Sequence, residues 1–170
     1  MAELRSALLE LLNQSPLREL SGDLLRSVPG LPPVLQTVHL LGAAVLLGTA
    51  VMLSLRLLSL VAHNQDPAEM SRRLFPWFFS ALPVMLLSAL PFFLARPQRY
   101  LSNPVFDIKM ISLAVAIIFS ILLWRAGKQL SQTGITRSVR GIALFVIAGW
   151  ILTLLAGRWI AYADYIFWSE

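Results

Sequence analysis

Residues 38–62, VHLLGAAVLLGTAVMLSLRLLSLVA, carry no ionisable side chain apart from His39 and Arg56. A bilayer needs about 20 apolar residues to be crossed, so this run predicts a membrane-spanning helix. His39 lies about one turn inside the apolar segment that begins near residue 34. An ionisable group at that depth is costly and is a functional-site candidate by default. Gly42 and Ala43 follow at i+3 and i+4, beneath the imidazole on the same helix face. Their small size leaves room for a partner helix or a flat ligand to approach the backbone.

The rest of the chain repeats the pattern. Four apolar segments are legible, at about 34–62, 75–95, 105–125 and 140–163, and they use nearly all of the sequence after residue 33. Mean hydropathy is +0.71 and only 14% of residues are charged, against about 25% in soluble domains. The prediction is an all-α integral membrane four-helix bundle over residues 34–170, preceded by an amphipathic interfacial segment at 1–33. The pI near 10.4 does not point to nucleic acid, because the basic residues sit at the ends of spans, where they set topology and meet headgroups. The absence of cysteine excludes disulfides, iron–sulfur clusters, haem c attachment and thiolate metal sites.

Basic residues also bear on orientation. Arg56, Arg72, Arg73, Arg125, Lys128, Arg137 and Arg140 fall at the ends and loops joining spans one to two and three to four. Arg96, Arg99, Lys109, Arg158 and the tail's Arg5, Arg18 and Arg26 fall on the other side. The totals are equal, but the dense clustering in two short loops places those loops in the cytoplasm and both termini outside.

In the tail, Leu4, Leu8, Leu11 and Leu12 share one face of a predicted helix over 2–12. Ser15-Pro16 reads as an N-cap with proline at the first helical position, opening a second helix over 16–27 with Leu17, Leu20, Leu24 and Leu25. Glu3, Glu10 and Asn13 break the apolar run, so it is not read as a signal peptide. The two helices read either as lying along the headgroups or as a lid over the outer mouth of the bundle. Val28 to Pro33 is a stiff turn into the first span, which is expected to run on past Arg56 to about His63. His63 itself reads as a solvated loop residue. Ala44 and Gly48 permit close helix approach.

In span two, Pro76 is expected in the first turn and Pro83 at mid-span, where it removes a backbone hydrogen bond. Ser80 is the local candidate to satisfy the freed carbonyl. In span three, Lys109, Ser112, Ala116 and Ser120 form one small, polar stripe that should face protein. Gly149, Thr153, Ala156 and Gly157 form an interior face on span four, whose end, GRWIAYADYIFW, has the aromatic content of a membrane interface.

Alternation of the spans brings His39, Arg96, Lys109 and Arg158 to the same outer layer, with Tyr162 one turn beyond Arg158. One potential metal ligand, three cations and facing small residues describe a pocket for a flat anionic ligand. Haem b fits, with imidazole on iron and propionates against Arg or Lys. A quinone head group bonded to His39 fits as well. The competing reading is that the cations only snorkel to headgroups. Copper fits less well: Met52, Met70, Met85 and Met110 are scattered in depth, and only Met110 shares the layer of His39. The only other histidine, His63, lies across the membrane. A second imidazole on a haem would therefore have to come from a second protomer or a partner subunit.

LQTVHLLGAAVLLGTAVMLSLRLLSL and NPVFDIKMISLAVAIIFSILL resemble the first and third helices of HemJ-type protoporphyrinogen oxidases and of the copper-resistance CopD-like membrane domain. The ending Gly157-Arg158-Trp159-Ile160-Ala161-Tyr162 is similar to that of uncharacterised four-helix bacterial inner-membrane proteins. The resemblance spans about 34–163. It implies haem b on His39 and a functional lysine at Lys109. The chain departs from relatives that carry a further histidine near the end of helix three, having Leu123-Trp124-Arg125 there. The expected function is a haem-b-binding protein of the inner membrane, serving electron transfer or a redox reaction near the outer leaflet. A copper-handling protein and a cofactor-free subunit of a larger complex are the alternatives.

Overall fold

The computed structural model describes residues 2–133 and 135–162. Its elements are α1 (Ala2–Gln14), α2 (Pro16–Ser27), α3 (Leu31–Leu57), α4 (Pro67–Ala95), α5 (Pro97–Leu101), α6 (Pro104–Thr133) and α7 (Arg137–Trp159), closed by a 3₁₀ turn at Ile160–Tyr162. The fold is all-α. α3, α4, α6 and α7 are long and apolar enough to cross a membrane. They run up and down in order, each packing on the next, and α7 returns to α3 to close a ring.

Burial in the ring is the reverse of a soluble bundle. Its outside carries Leu40, Leu41, Leu86, Leu87, Ile111, Ile118, Leu144 and Phe145, all exposed, while Ser54, Ser71, Ser88, Ser112, Ser120 and Thr153 are buried. Exposed apolar surface on this scale has hydrocarbon as its partner, and small or hydroxylated residues between helices are the usual means of packing there. This is a multi-pass membrane protein.

Helix ends follow local chemistry. Ser15 caps α2 by accepting from the Leu17 N–H at 3.2 Å, with Pro16 in the first turn, as the sequence predicts. α3 stops at Leu57 rather than near His63. Ser59 and Ala62 take positive φ, and the guanidinium of Arg56 donates to the carbonyls of Gln65 at 2.8 Å and His63 at 3.2 Å. The chain therefore folds back on the helix end instead of projecting from it. α4 begins eight residues before the expected span, because Asp66 accepts from the N–H groups of Ala68 and Glu69 and Pro67 occupies the first turn. Aspartate, proline and then Glu69 form a helix-start signature that the apolar pattern alone overlooks. Pro76 accordingly sits well inside the helix instead of in its first turn. Ser80 donates to the Trp77 carbonyl at 3.0 Å and not to that of Phe79, the acceptor freed by Pro83.

α2 packs on α4, burying Ser21 and Gly22. α1 lies against α5, and Arg5 forms an ion pair with Asp107 in the first turn of α6. The hairpin therefore sits at the α5 end of the bundle. Leu4, Leu11 and Leu20 remain about two-thirds exposed at 66%, 67% and 65%, as helices bordering a lipid interface require.

Candidate site in a polar layer of the bundle

The apolar interior is divided in two. The larger cluster includes Leu46, Leu53, Phe75, Phe78, Ala116, Leu123, Val146 and Trp150. A smaller one, at the α5 end, joins Val105, Ala156 and Ile160 to Tyr100 and Phe106. On α6 the break falls at Lys109 and Ser112, and on α7 at Thr153. Ser88 on α4 and His39 on α3 lie at the same level. The stripe and the face read from sequence meet here. Thr153 donates to Ser112 Oγ at 3.0 Å, and Gly149 lets the α6 backbone in so closely that an added Cβ would stand 3.3 Å from Ala116 Cα.

His39 Nδ1 is 3.1 Å from the Met85 carbonyl oxygen and 3.1 Å from Ser88 Oγ. A carbonyl can only accept, so Nδ1 carries the proton in this contact. The Ser88 hydroxyl donates to the same carbonyl, also at 3.1 Å. Nε2 is left with its lone pair, the tautomer in which a histidine serves as a metal ligand or hydrogen-bond acceptor. The space over Gly42 is not free: Met85 Cγ and Sδ lie 3.0 and 3.2 Å from the position its Cβ would take. A flat ligand has no room on that side. Met85 thus belongs to the layer of His39, although the sequence pattern sets it at another depth.

Lys109 is half-buried, its stem laid over Gly157, with Cε 3.7 Å and Nζ 4.0 Å from where a Cβ would be. Neither ion pair among the described residues includes it; the carboxylate nearest in sequence, Asp107, is taken by Arg5. The other two cations stand apart. Arg158 is exposed and donates to the Tyr162 hydroxyl at 3.2 Å, and Arg96 is exposed at the corner between α4 and α5. Of the four residues expected to converge, the structure brings His39 and Lys109 into one layer.

Residues 30–163 match DUF6644, a family of unknown function. The chain belongs to this family. No curated protein and no solved structure matches it. The DUF6644 region takes in all four spanning helices and the whole polar layer, and it leaves out α1 and α2.

Among the described residues no group of three His, Cys, Asp or Glu side chains is placed to hold a metal ion. A metal carried by a macrocycle needs only one or two protein ligands. For haem b the donor chemistry fits at His39 Nε2, and Lys109 supplies a partner for a carboxylate.

Proposed function

We propose that this protein binds haem b through His39 in the outer-leaflet half of a bacterial inner membrane and serves electron transfer or a redox reaction there. The observation that carries the reading is the His39 Nδ1–H donated to the Met85 carbonyl, which leaves Nε2 its lone pair in a layer shared with an ammonium that has no carboxylate partner among the described residues. Haem supplies one-electron chemistry at its iron. The chain's own residues would hold the group: Met85 and Ser88 fix the imidazole tautomer and orientation, and Lys109 would offset the negative charge of a propionate. The small residues of α6 and α7 close the seam against water. The resemblance of the first and third helices to those of HemJ-type oxidases supports this reading, with His39 and Lys109 in the corresponding places, whereas the resemblance to the CopD-like domain favours the copper alternative. A sixth ligand would come from a second protomer or a partner subunit. The clustered arginines of the inner loops favour both termini outside.

An absorption spectrum of the detergent-purified protein tests the proposal. Wild-type protein should show a Soret band, and His39→Gln protein, which keeps much of the hydrogen-bonding capacity but is a poor iron ligand, should lose or strongly shift it. An unchanged spectrum in His39→Gln removes His39 as axial ligand. Colourless wild-type protein with stoichiometric copper supports copper handling instead.

A second reading has its own observation. His39 Nδ1 bonds to the Met85 carbonyl and Ser88 of α4 and the Met85 side chain fills the space over Gly42, so His39 also serves as a clasp between α3 and α4. On that reading the protein is a cofactor-free subunit of a membrane complex, and it would purify colourless, metal-free and with partners.

A further inference from the structure

At the end of the bundle remote from α5, α4 meets α6 over an aromatic floor. Ser71 Oγ donates to the Trp124 carbonyl at 3.2 Å, which sets the first turns of α4 level with the last turns of α6. Beside that contact the Trp124 ring stacks on Phe75 with centroids 6.0 Å apart and meets Phe79 edge-on at 5.1 Å. Lys128, one turn beyond Trp124, lays its ammonium over the indole, 3.9 Å from the ring centroid. Arg72 follows Ser71 and shares the helix face of Phe79 at i+7, so it stands on the α4 side of the same seam. Arg125 neighbours Lys128 at i, i+3 on α6. All three cations are exposed. The ion pairs among the described residues join Arg73 to Glu69 and Arg5 to Asp107, and neither includes Arg72, Arg125 or Lys128.

We propose that this seam binds one anionic phospholipid, its phosphate held by Arg72, Arg125 and Lys128 and its acyl chains laid along the bundle wall. Charge complementarity selects the head. Three cations with no carboxylate partner among the described residues gather at the edge of the apolar spans, and basic pockets between spanning helices are where anionic head groups are held. A guanidinium presents its donors in a fork that matches phosphate oxygens. The Lys128 ammonium, with one side on the indole, keeps N–H groups for the same ligand. The apolar part is selected by what runs away from the cations. Leu122 and Ile118 stand at i−3 and i−7 from Arg125, 40% and 55% exposed, and Phe79 is 36% exposed beside Trp124. A soluble phosphate would leave this stripe bare, whereas a lipid covers it while its phosphate stays level with an interfacial tryptophan. The site lies at the far end of the bundle from His39 and stands whether or not haem is bound there.

The test is a titration of the full chain, delipidated in non-ionic detergent, with dioleoyl phosphatidylglycerol and separately with dioleoyl phosphatidylcholine, lipid adducts being counted by native mass spectrometry. Phosphatidylglycerol should bind the more tightly, with a single adduct saturating first. Arg72→Gln and Lys128→Gln should each weaken it roughly fivefold, as expected for the loss of one basic residue near a lipid phosphate. Both positions are exposed, so the fold should stay intact. Lys128→Arg, which keeps the charge, should retain the lipid. Arg99→Gln removes an exposed charge at the α5 end and should leave binding unchanged. Equal affinity for the two lipids overturns the proposal, as does unchanged affinity in both Gln variants of the seam. A loss in Arg99→Gln as large as theirs overturns it too, since net charge alone would then account for the preference. Displacement of the lipid by glycerol phosphate, which has the phosphate without the chains, overturns it in favour of a soluble ligand.

Discussion

His39 on α3 and Met85 on α4, 46 positions apart in the chain, are joined by a hydrogen bond of 3.1 Å from the imidazole Nδ1 to the main-chain carbonyl. Because the acceptor is backbone, no substitution of the Met85 side chain removes it directly, and the bond depends on the register between the two helices. Intramembrane side-chain hydrogen bonds average about 0.6 kcal/mol. His39→Leu should therefore lower the stability of the bundle in detergent by no more than about 2 kcal/mol, measured as a shift in melting temperature, and the protein should still insert. Failure of His39→Leu to accumulate in the membrane would show that the clasp contributes far more than a bond of this kind.

The glycines of the bundle should separate sharply under substitution. A Cβ on Gly127 would stand 2.9 Å from Ser71 Oγ, and that hydroxyl already donates to the Trp124 carbonyl at 3.2 Å. Gly127→Ala should cost about 1–3 kcal/mol by overpacking. Gly48 has nothing within 4 Å of the same point, so Gly48→Ala should be neutral or gain up to about 1 kcal/mol from helix propensity. Melting of both variants in one detergent checks the contrast, and equal shifts would contradict the packing at Gly127.

Arg5 and Asp107 tie the first helix to the start of α6, and both side chains are more than a third exposed, at 37% and 38%. Exposed pairs contribute about 1 kcal/mol or less. Asp107→Asn should thus leave the spanning bundle intact while making α1 more sensitive to protease, and the double exchange Arg5→Asp with Asp107→Arg should restore protection. Protection unchanged in Asp107→Asn would mean that α1 is held by its contact with α5 instead.

Orientation can be read by labelling, since the chain has no cysteine of its own. Gln65 and Gln98 are exposed at opposite ends of the bundle. With intact cells and an impermeant thiol reagent, Gln98→Cys should label and Gln65→Cys should not. The reverse pattern would place both termini in the cytoplasm.

Much of this protein is written locally. Four spans follow from hydropathy, and the facing stripes of α6 and α7 follow from helix phase, because a separation of three, four, seven or eleven residues returns a side chain to one face whatever the helix packs against. Ser112, Ala116 and Ser120 are buried for that reason, as are Gly149, Thr153 and Ala156. The cap at Ser15 is equally local.

Depth and pairing are not local. An apolar pattern does not show where a helix starts in polar sequence, so α4 reads as beginning near residue 75 although the Asp66 cap starts it at Pro67. Relating α4 to α3 then requires their packing register, which places Met85 and Ser88 against His39. The end of α3 depends on Arg56 reaching the loop carbonyls beyond it. The sequence by itself determined that His39 and Lys109 lie at similar depth in an apolar bundle, since hydropathy and alternation fix depth coarsely. Only the tertiary structure decided that they share a layer while Arg96 and Arg158 face outward. Rotation of each helix about its axis is set by side-chain packing between helices, and the position of a residue along its own helix carries no record of it.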